Sequence, residues 1–135
     1  MVVSEIMTTH PITIKPDRPV SDALSTMLEI RCHHLPVMSQ NNHLIGLVSD
    51  YDCHKILSNH ATKFGRKAKA AQIVRIRDVM TAAPAVIAPE ASVIDAAKLM
   101  FENNIRCLPV MRDETLVGIV TTSDLLIAFI TSDQQ

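Results

Sequence analysis

Two short stretches hold the residues whose types and spacing can do chemistry. One is Gly46-Leu47-Val48-Ser49-Asp50-Tyr51-Asp52, and its echo is Gly118-Ile119-Val120-Thr121-Thr122-Ser123-Asp124. In each, an apolar run leads straight into Ser or Thr, and an acid follows three positions on. That is the S/T-x-x-D/E spacing of a capping box, in which the hydroxyl accepts a backbone N–H of the first helical turn. An acid there also suits the positive helix end. Any helix can begin this way. The same start can hold a ligand, because free N–H groups and a partial positive charge suit phosphate. A nearby carboxylate can accept from the vicinal hydroxyls of a ribose. Phosphate and ribose recognition together imply a nucleotide.

The remaining reactive side chains give weaker signals. All six histidines lie at or before His60, and Cys32-His33-His34 invites a metal reading. Adjacent residues in a strand or loop point in different directions, and neither HxxxH nor CxxC accompanies them. No metal site is expected; Cys32 is assigned to packing, and His33 and His34 to the lining of a cleft. Cys107 reads as a small buried hydrophobe. A Cys-His nucleophile would need an oxyanion turn that the sequence lacks, so no catalytic residue is assigned and the chain is not expected to be an enzyme. Asp50 and Asp52 can hold Mg2+ that bridges phosphates.

Composition bounds these readings. The chain has 135 residues, 47% of them apolar, with 13 basic and 14 acidic residues and a net charge of −1. That is globular composition with no global pull toward nucleic acid or membrane. Three scattered glycines cannot build a GxGxxG or P-loop cradle. Four aromatics and no Trp make a base-stacking platform a poor reading. Three cysteines without a CxxC pair, and no signal-peptide pattern at the N-terminus, fit a reducing, cytoplasmic setting. No run is long and apolar enough to span a membrane. One local bias stands out: Cys53 to Arg77 contains no acid and seven basic residues, Lys55, Lys63, Arg66, Lys67, Lys69, Arg75 and Arg77. It reads as a solvated helix extension and linker, or alternatively as a basic surface for an acidic partner, phosphates or nucleic acid.

The elements that must position the two stretches are themselves repeated. Glu5-Ile6-Met7-Thr8 through Pro11 matches Asp78-Val79-Met80-Thr81 through Pro84, and Leu35-Pro36-Val37-Met38 matches Leu108-Pro109-Val110-Met111. Pro16 and Pro89, Val20 and Val93, Asp22-Ala23 and Asp95-Ala96 keep the same offset. The chain's rarest residues thus recur in register, the signature of an internal repeat. Each copy is too small to hold itself together, so two copies on a shared core are expected. Residues 2–60 read as repeat one, 61–75 as the basic linker and helix extension, and 76–131 as repeat two.

Within repeat one, Ile12-Thr13-Ile14 reads as a short strand stopped by Pro16. Apolar residues from Val20 to Arg31 recur at helical spacing, with Ser21 as N-cap. Leu35–Met38 and Leu44–Val48 read as strands around a turn at residues 40–42, and a second helix runs from near Ser49 toward His60. Repeat two reads alike: a strand near Ala85–Ala88, a helix over Val93–Asn103, strands at Cys107–Met111 and Leu116–Val120, and a helix from Ser123 to about Thr131. The class is α+β, two β-α-β-β-α repeats packed with pseudo-two-fold symmetry. Gly46 and Gly118 fall on the strands that lead into the helix starts, where glycine allows close approach of a ligand or of an opposing strand.

Taken together, Met-Thr…Pro, Leu-Pro-Val and Gly-h-Val-Ser/Thr-x-x-Asp, each present twice, resemble a tandem pair of CBS domains, the Bateman module. The resemblance covers about residues 2–130. It implies a regulatory sensor of an adenosine ligand: AMP, ADP, ATP or S-adenosylmethionine. Carried over residue by residue, it implies two clefts. One uses Leu47, Ser49 and Asp52, with Thr81, Ala85 and Ile105-Arg106-Cys107 opposite. The other uses Ile119, Thr121 and Asp124, with Thr8, Ile12 and Cys32-His33-His34 opposite. The clefts differ in charge, because Asp50 adds an acid where the second copy has Thr122. The balance favours the Asp124 cleft, whose Thr121-Thr122-Ser123 run offers hydroxyls without repulsion. The resemblance also implies a homodimer through the apolar terminal helix (Leu125, Leu126, Phe129, Ile130) and a signal passed to a separate effector or through self-association. The alternative is an interaction adaptor that uses the basic linker, with degenerate clefts.

Overall fold

Apolar residues at helical and strand spacing build each repeat in the expected order, and the computed structural model describes residues 1–64 and 67–133. The first repeat contributes β1 (Thr8–Thr9), α1 (Val20–Ile30), β2 (His34–Met38), β3 (Leu44–Ser49) and α2 (Asp50–Phe64). A short α3 (Lys67–Ile73) follows. The second repeat contributes β4 (Thr81–Ala82), α4 (Val93–Asn103), β5 (Cys107–Arg112), β6 (Thr115–Thr121) and α5 (Thr122–Asp133). The fold is α+β, two β-α-β-β-α repeats. Gly65 and Arg66 of the basic segment lie outside the described residues.

Two compact units form, and they do not follow the sequence repeats. One runs from Ile12 to Ala83; the other joins Met1–Pro11 to the chain from Pro84 onward. The opening arm of each repeat has therefore joined the unit built on the other repeat's hairpin. In the Ile12–Ala83 unit the sheet order is β2-β3-β4, with Leu47 opposite Thr81 and Gly46 opposite Ala82. In the other unit the order is β1-β6-β5, with Thr8 opposite Ile119 and Thr9 opposite Gly118.

The cores match at six positions. In the first unit Ala23, Met27, Leu35, Val37, Val48 and Ile76 are buried together. Their counterparts Ala96, Met100, Leu108, Val110, Val120 and Val3 are buried together in the second. Ile76 and Val3 lie on the exchanged arms, so each arm supplies its new unit with a core residue as well as a strand.

The glycines explain how closely the arms approach. A Cβ on Gly118 would lie 2.6 Å from Met7 Sδ and 2.8 Å from the Thr8 carbonyl oxygen. A Cβ on Gly46 would run into Met80 Sδ and lie 3.1 Å from the Thr81 carbonyl oxygen. In both units it is the opposing arm, within the unit itself, that fills the space beside the glycine.

Three local expectations need correction. The Ile12–Ile14 strand shrinks to a single parallel bridge between Ile14 and Val37, and Ala85–Ala88 shrinks to one between Ile87 and Val110. Pro11 and Pro16 bracket the first of these segments, and proline cannot donate to a ladder. The regular first strands are Thr8–Thr9 and Thr81–Ala82 instead. Ser21 is not an N-cap: α1 starts at Val20 behind Pro19, whose side chain makes no cap hydrogen bond. The Val20 N–H donates instead to the Val74 carbonyl at 2.8 Å, so one of the orphan donors of the first turn is satisfied by backbone. At the matching place in α4, Ser92 does cap, accepting from Asp95 N–H at 2.9 Å.

Candidate functional site

Each apolar strand delivers its hydroxyl residue to a helix start. In the first unit β3 ends at Ser49 and α2 begins at Asp50; in the second β6 ends at Thr121 and α5 begins at Thr122. Ser49 Oγ accepts from the Asp52 N–H at 3.1 Å. Thr121 Oγ1 accepts from the Asp124 N–H at 3.4 Å and donates to Asp124 Oδ2 at 3.1 Å. The Thr121 N–H also donates to Asp124 Oδ2, at 2.9 Å. The box is thus closed from both sides at α5. At α2 it is closed from one side only: among the described residues, no donor reaches the Asp52 carboxylate.

The hairpin register brings a third group to each start. His34 lies opposite Ser49, and one residue further the Asp50 N–H donates to the His33 carbonyl at 3.0 Å. Cys107 lies opposite Thr121, and the Thr122 N–H donates to the Arg106 carbonyl at 3.0 Å. The segment before Leu-Pro-Val therefore borders the helix start of its own repeat. Sequence reading named both His33 and Asp50 but placed them in different clefts. The structure joins them, with His33 Nδ1 2.7 Å from Asp50 Oδ2. Continuing the hairpin pairing by one residue is the signal that would have found this pair.

The site residues divide between the units as follows. Leu47, Ser49, Asp52 and Thr81 share the Ile12–Ala83 unit with Ile12, Cys32, His33 and His34. Ile119, Thr121, Asp124 and Thr8 share the other unit with Ala85, Ile105, Arg106 and Cys107. Leu47 with Thr81, and Ile119 with Thr8, are direct strand partners. Ile12, Thr8, Thr81, Ala85, His33 and Arg106 are exposed, whereas Cys107 and Ile119 are buried.

Charge at the α2 start perturbs its neighbours. Burial pushes the Asp50 carboxyl up. The hydrogen bond and charge of His33, with a smaller contribution from the Tyr51 backbone, outweigh it and hold the group below its ordinary value. Burial, with Asp52 and Asp50 nearby, pushes the Cys53 thiol up to about 12. Burial also raises the Cys32 thiol, partly offset by its hydrogen bond to the His34 carbonyl and reinforced by Asp50. Thiols held protonated are poor nucleophiles. Among the described residues, no three His, Cys, Asp or Glu side chains group as metal ligands, and no helix is long and apolar enough to cross a membrane.

Two copies of this arrangement in tandem define a paired-repeat module, and family comparison agrees. The CBS domain family matches residues 3–59 and 76–131. The chain belongs to the CBS-domain family, as a tandem pair. An uncharacterized protein of Methanocaldococcus jannaschii is 31% identical, over 96% of this chain and 92% of its own length. The crystal structure of CBSX2 in complex with AMP superposes with a TM-score of 0.79 at 32% identity, covering 98% of each chain. A putative acetoin utilization protein (AcuB) from Vibrio cholerae superposes with a TM-score of 0.81 at 28% identity, covering 99% of this chain and 93% of its own. The chain spans only part of other relatives. It matches 56% of the chloroplastic CBSX1 of Arabidopsis thaliana, and 23% of a homoserine O-acetyltransferase of Methanococcoides burtonii.

Proposed function

We propose that the chain is a regulatory module that binds an adenosine-containing ligand (AMP, ADP, ATP or S-adenosylmethionine) and acts as a sensor rather than an enzyme. The carrying observation is the repeated delivery of Ser49/Asp52 and Thr121/Asp124 to helix starts in a CBS pair. A 32% identical neighbour of the same fold was crystallised with AMP, which supports the ligand class. In this reading Ser49 and Thr121 face phosphate, and Asp52 and Asp124 accept from the ribose hydroxyls. Leu47, Ile119, Thr8, Ile12, Thr81, Ala85, Cys32–His34 and Ile105–Cys107 form the base-facing set.

A cytoplasmic homodimer belongs to the same proposal, with α5 as the contact. Leu126, Phe129 and Ile130 are exposed there, 73% for Phe129, while Leu125 packs on its own core. A dimer mass by light scattering supports this; a monomer with and without nucleotide overturns it. The signal then passes to a separate effector or through self-association.

The experiment is a thermal-shift panel with AMP, ADP, ATP, S-adenosylmethionine, NAD and Zn2+. Ligand at 100-fold its dissociation constant should add about 2.7 kcal/mol, several degrees for a chain of this size. No shift with any adenosine compound at millimolar concentration sinks the reading. Saturable gel shifts of generic DNA or RNA at physiological salt would instead favour an adaptor built on the basic segment.

A further inference from the structure

The two helix starts share a backbone contact and differ in what hangs on it. Asp50 N–H to the His33 carbonyl and Thr122 N–H to the Arg106 carbonyl are the same contact at the same length. Only the first carries a carboxylate, and only the first closes a side-chain pair, His33 Nδ1 to Asp50 Oδ2. With Asp52 two residues on, the α2 start holds two carboxylates within its first turn, against the single Asp124 at α5. A second carboxylate works against the positive helix end and so against an anionic ligand. His33 holds the Asp50 carboxylate at the helix start through that side-chain contact, at 2.7 Å.

We propose that the His33–Asp50 pair makes the α2 start discriminate against ligand charge. Near neutral pH it accepts an uncharged or cationic adenosine ligand in preference to a phosphorylated one, whereas the α5 start, with Thr122 in the matching place, accepts phosphate. This rests on the adenosine-ligand reading above and goes beyond it by assigning a ligand class to each repeat. The other titratable groups bearing on the pair are His34 and Cys32 from the β2 side and Asp52 and Cys53 on α2.

The test is binding calorimetry on the full chain with adenosine and AMP at pH 7.5. Asp124→Ala disables the α5 half, so the α2 half reports alone. There, Asp50→Thr should tighten AMP about fivefold and move adenosine less than about twofold. In the Asp52→Ala background, Thr122→Asp should weaken AMP by a similar factor. Adenosine 5′-sulfate, which carries a single fixed charge, should tighten along with AMP in Asp50→Thr, while adenosine does not. An unchanged AMP-to-adenosine ratio in Asp50→Thr overturns the discrimination while leaving the module a ligand sensor. Failure of the α2 half to bind either compound overturns the assignment to that repeat. Failure of the unmodified chain to bind any adenosine compound removes the parent reading itself.

Discussion

The Ile12–Ala83 unit and the unit around α4 and α5 are two solutions to one folding problem. Their cores agree at six matched positions, from Ala23 and Ala96 to Val48 and Val120, and differ where Val20, Cys53 and Leu57 are buried only in the first. Their helix starts agree in backbone and differ in side chains. At α5, Thr121 and Asp124 satisfy each other in both directions. At α2, Ser49 caps, Asp52 does not return the bond, and Asp50 turns to His33. The helix caps in front of α1 and α4 diverge too, Pro19 against Ser92. Buried shape is held tightly because interiors are close-packed. A helix start can be satisfied by a hydroxyl, a backbone carbonyl or water, so side chains there are free to diverge.

The core comparison predicts the largest effect and an equality. Leu35 and Leu108 are both buried to within 1% exposure. Leu35→Ala and Leu108→Ala should each cost about 3 kcal/mol in urea unfolding, within about 1 kcal/mol of each other. A gap of more than about 2 kcal/mol between two such truncations would break the equivalence of the cores.

The glycines should split the units. At Gly118 an added methyl meets the Thr8 backbone oxygen at 2.8 Å, which cannot yield without unpairing β1. At Gly46 the worst clash is with the flexible thioether of Met80, and the Thr81 carbonyl is more distant. Gly118→Ala should therefore cost about 2–3 kcal/mol and Gly46→Ala about 1 kcal/mol. Equal costs would mean that both arms, or neither, can shift.

The caps should split them again, by less. Thr121→Val removes a hydroxyl that both accepts and donates, and should cost about 1.5 kcal/mol; Ser49→Ala should cost about 1 kcal/mol. The acids sharpen this: Asp124→Ala should cost about 1 kcal/mol, because the Thr121 N–H loses its acceptor, and Asp52→Ala almost nothing. A larger stability loss at Asp52 would reverse the assignment of the closed box.

Much of this was legible in the chain, for identifiable reasons. The order β-α-β-β-α follows from periodicity and from a repeat that puts prolines and glycines twice in register. The Ser49–Asp52 and Thr121–Asp124 caps are local, three residues apart, and so readable. Local patterning does not reveal the exchange of arms; it is implied only by the family resemblance, which sets Thr81 opposite Leu47 and Thr8 opposite Ile119, the residues that pair as strands. The Ile12–Ile14 bridge misled because a single parallel contact has the residue types of a strand without its length. The His33–Asp50 pair spans 17 residues and depends on hairpin register, which the bulge between Val37 and Met38 obscures.

The smallest expected effect lies in the acid range. Asp50 titrates below its ordinary value because His33 holds its charged form. A carboxyl whose folded value is depressed stabilises the fold fully above its unfolded value, and that contribution fades as pH falls through the folded value. Unmodified protein should thus exceed Asp50→Asn in stability near neutral pH, by less than about 1 kcal/mol for so exposed a pair. The gap should close as pH falls below the ordinary carboxylate range and shrink in high salt. Thr122, which has no carboxyl, gives the control: Thr122→Asn should change stability by an amount that stays flat across the same window. A gap at Asp50 that persists in strong acid would show that packing, not the carboxylate's charge, distinguishes the two helix starts.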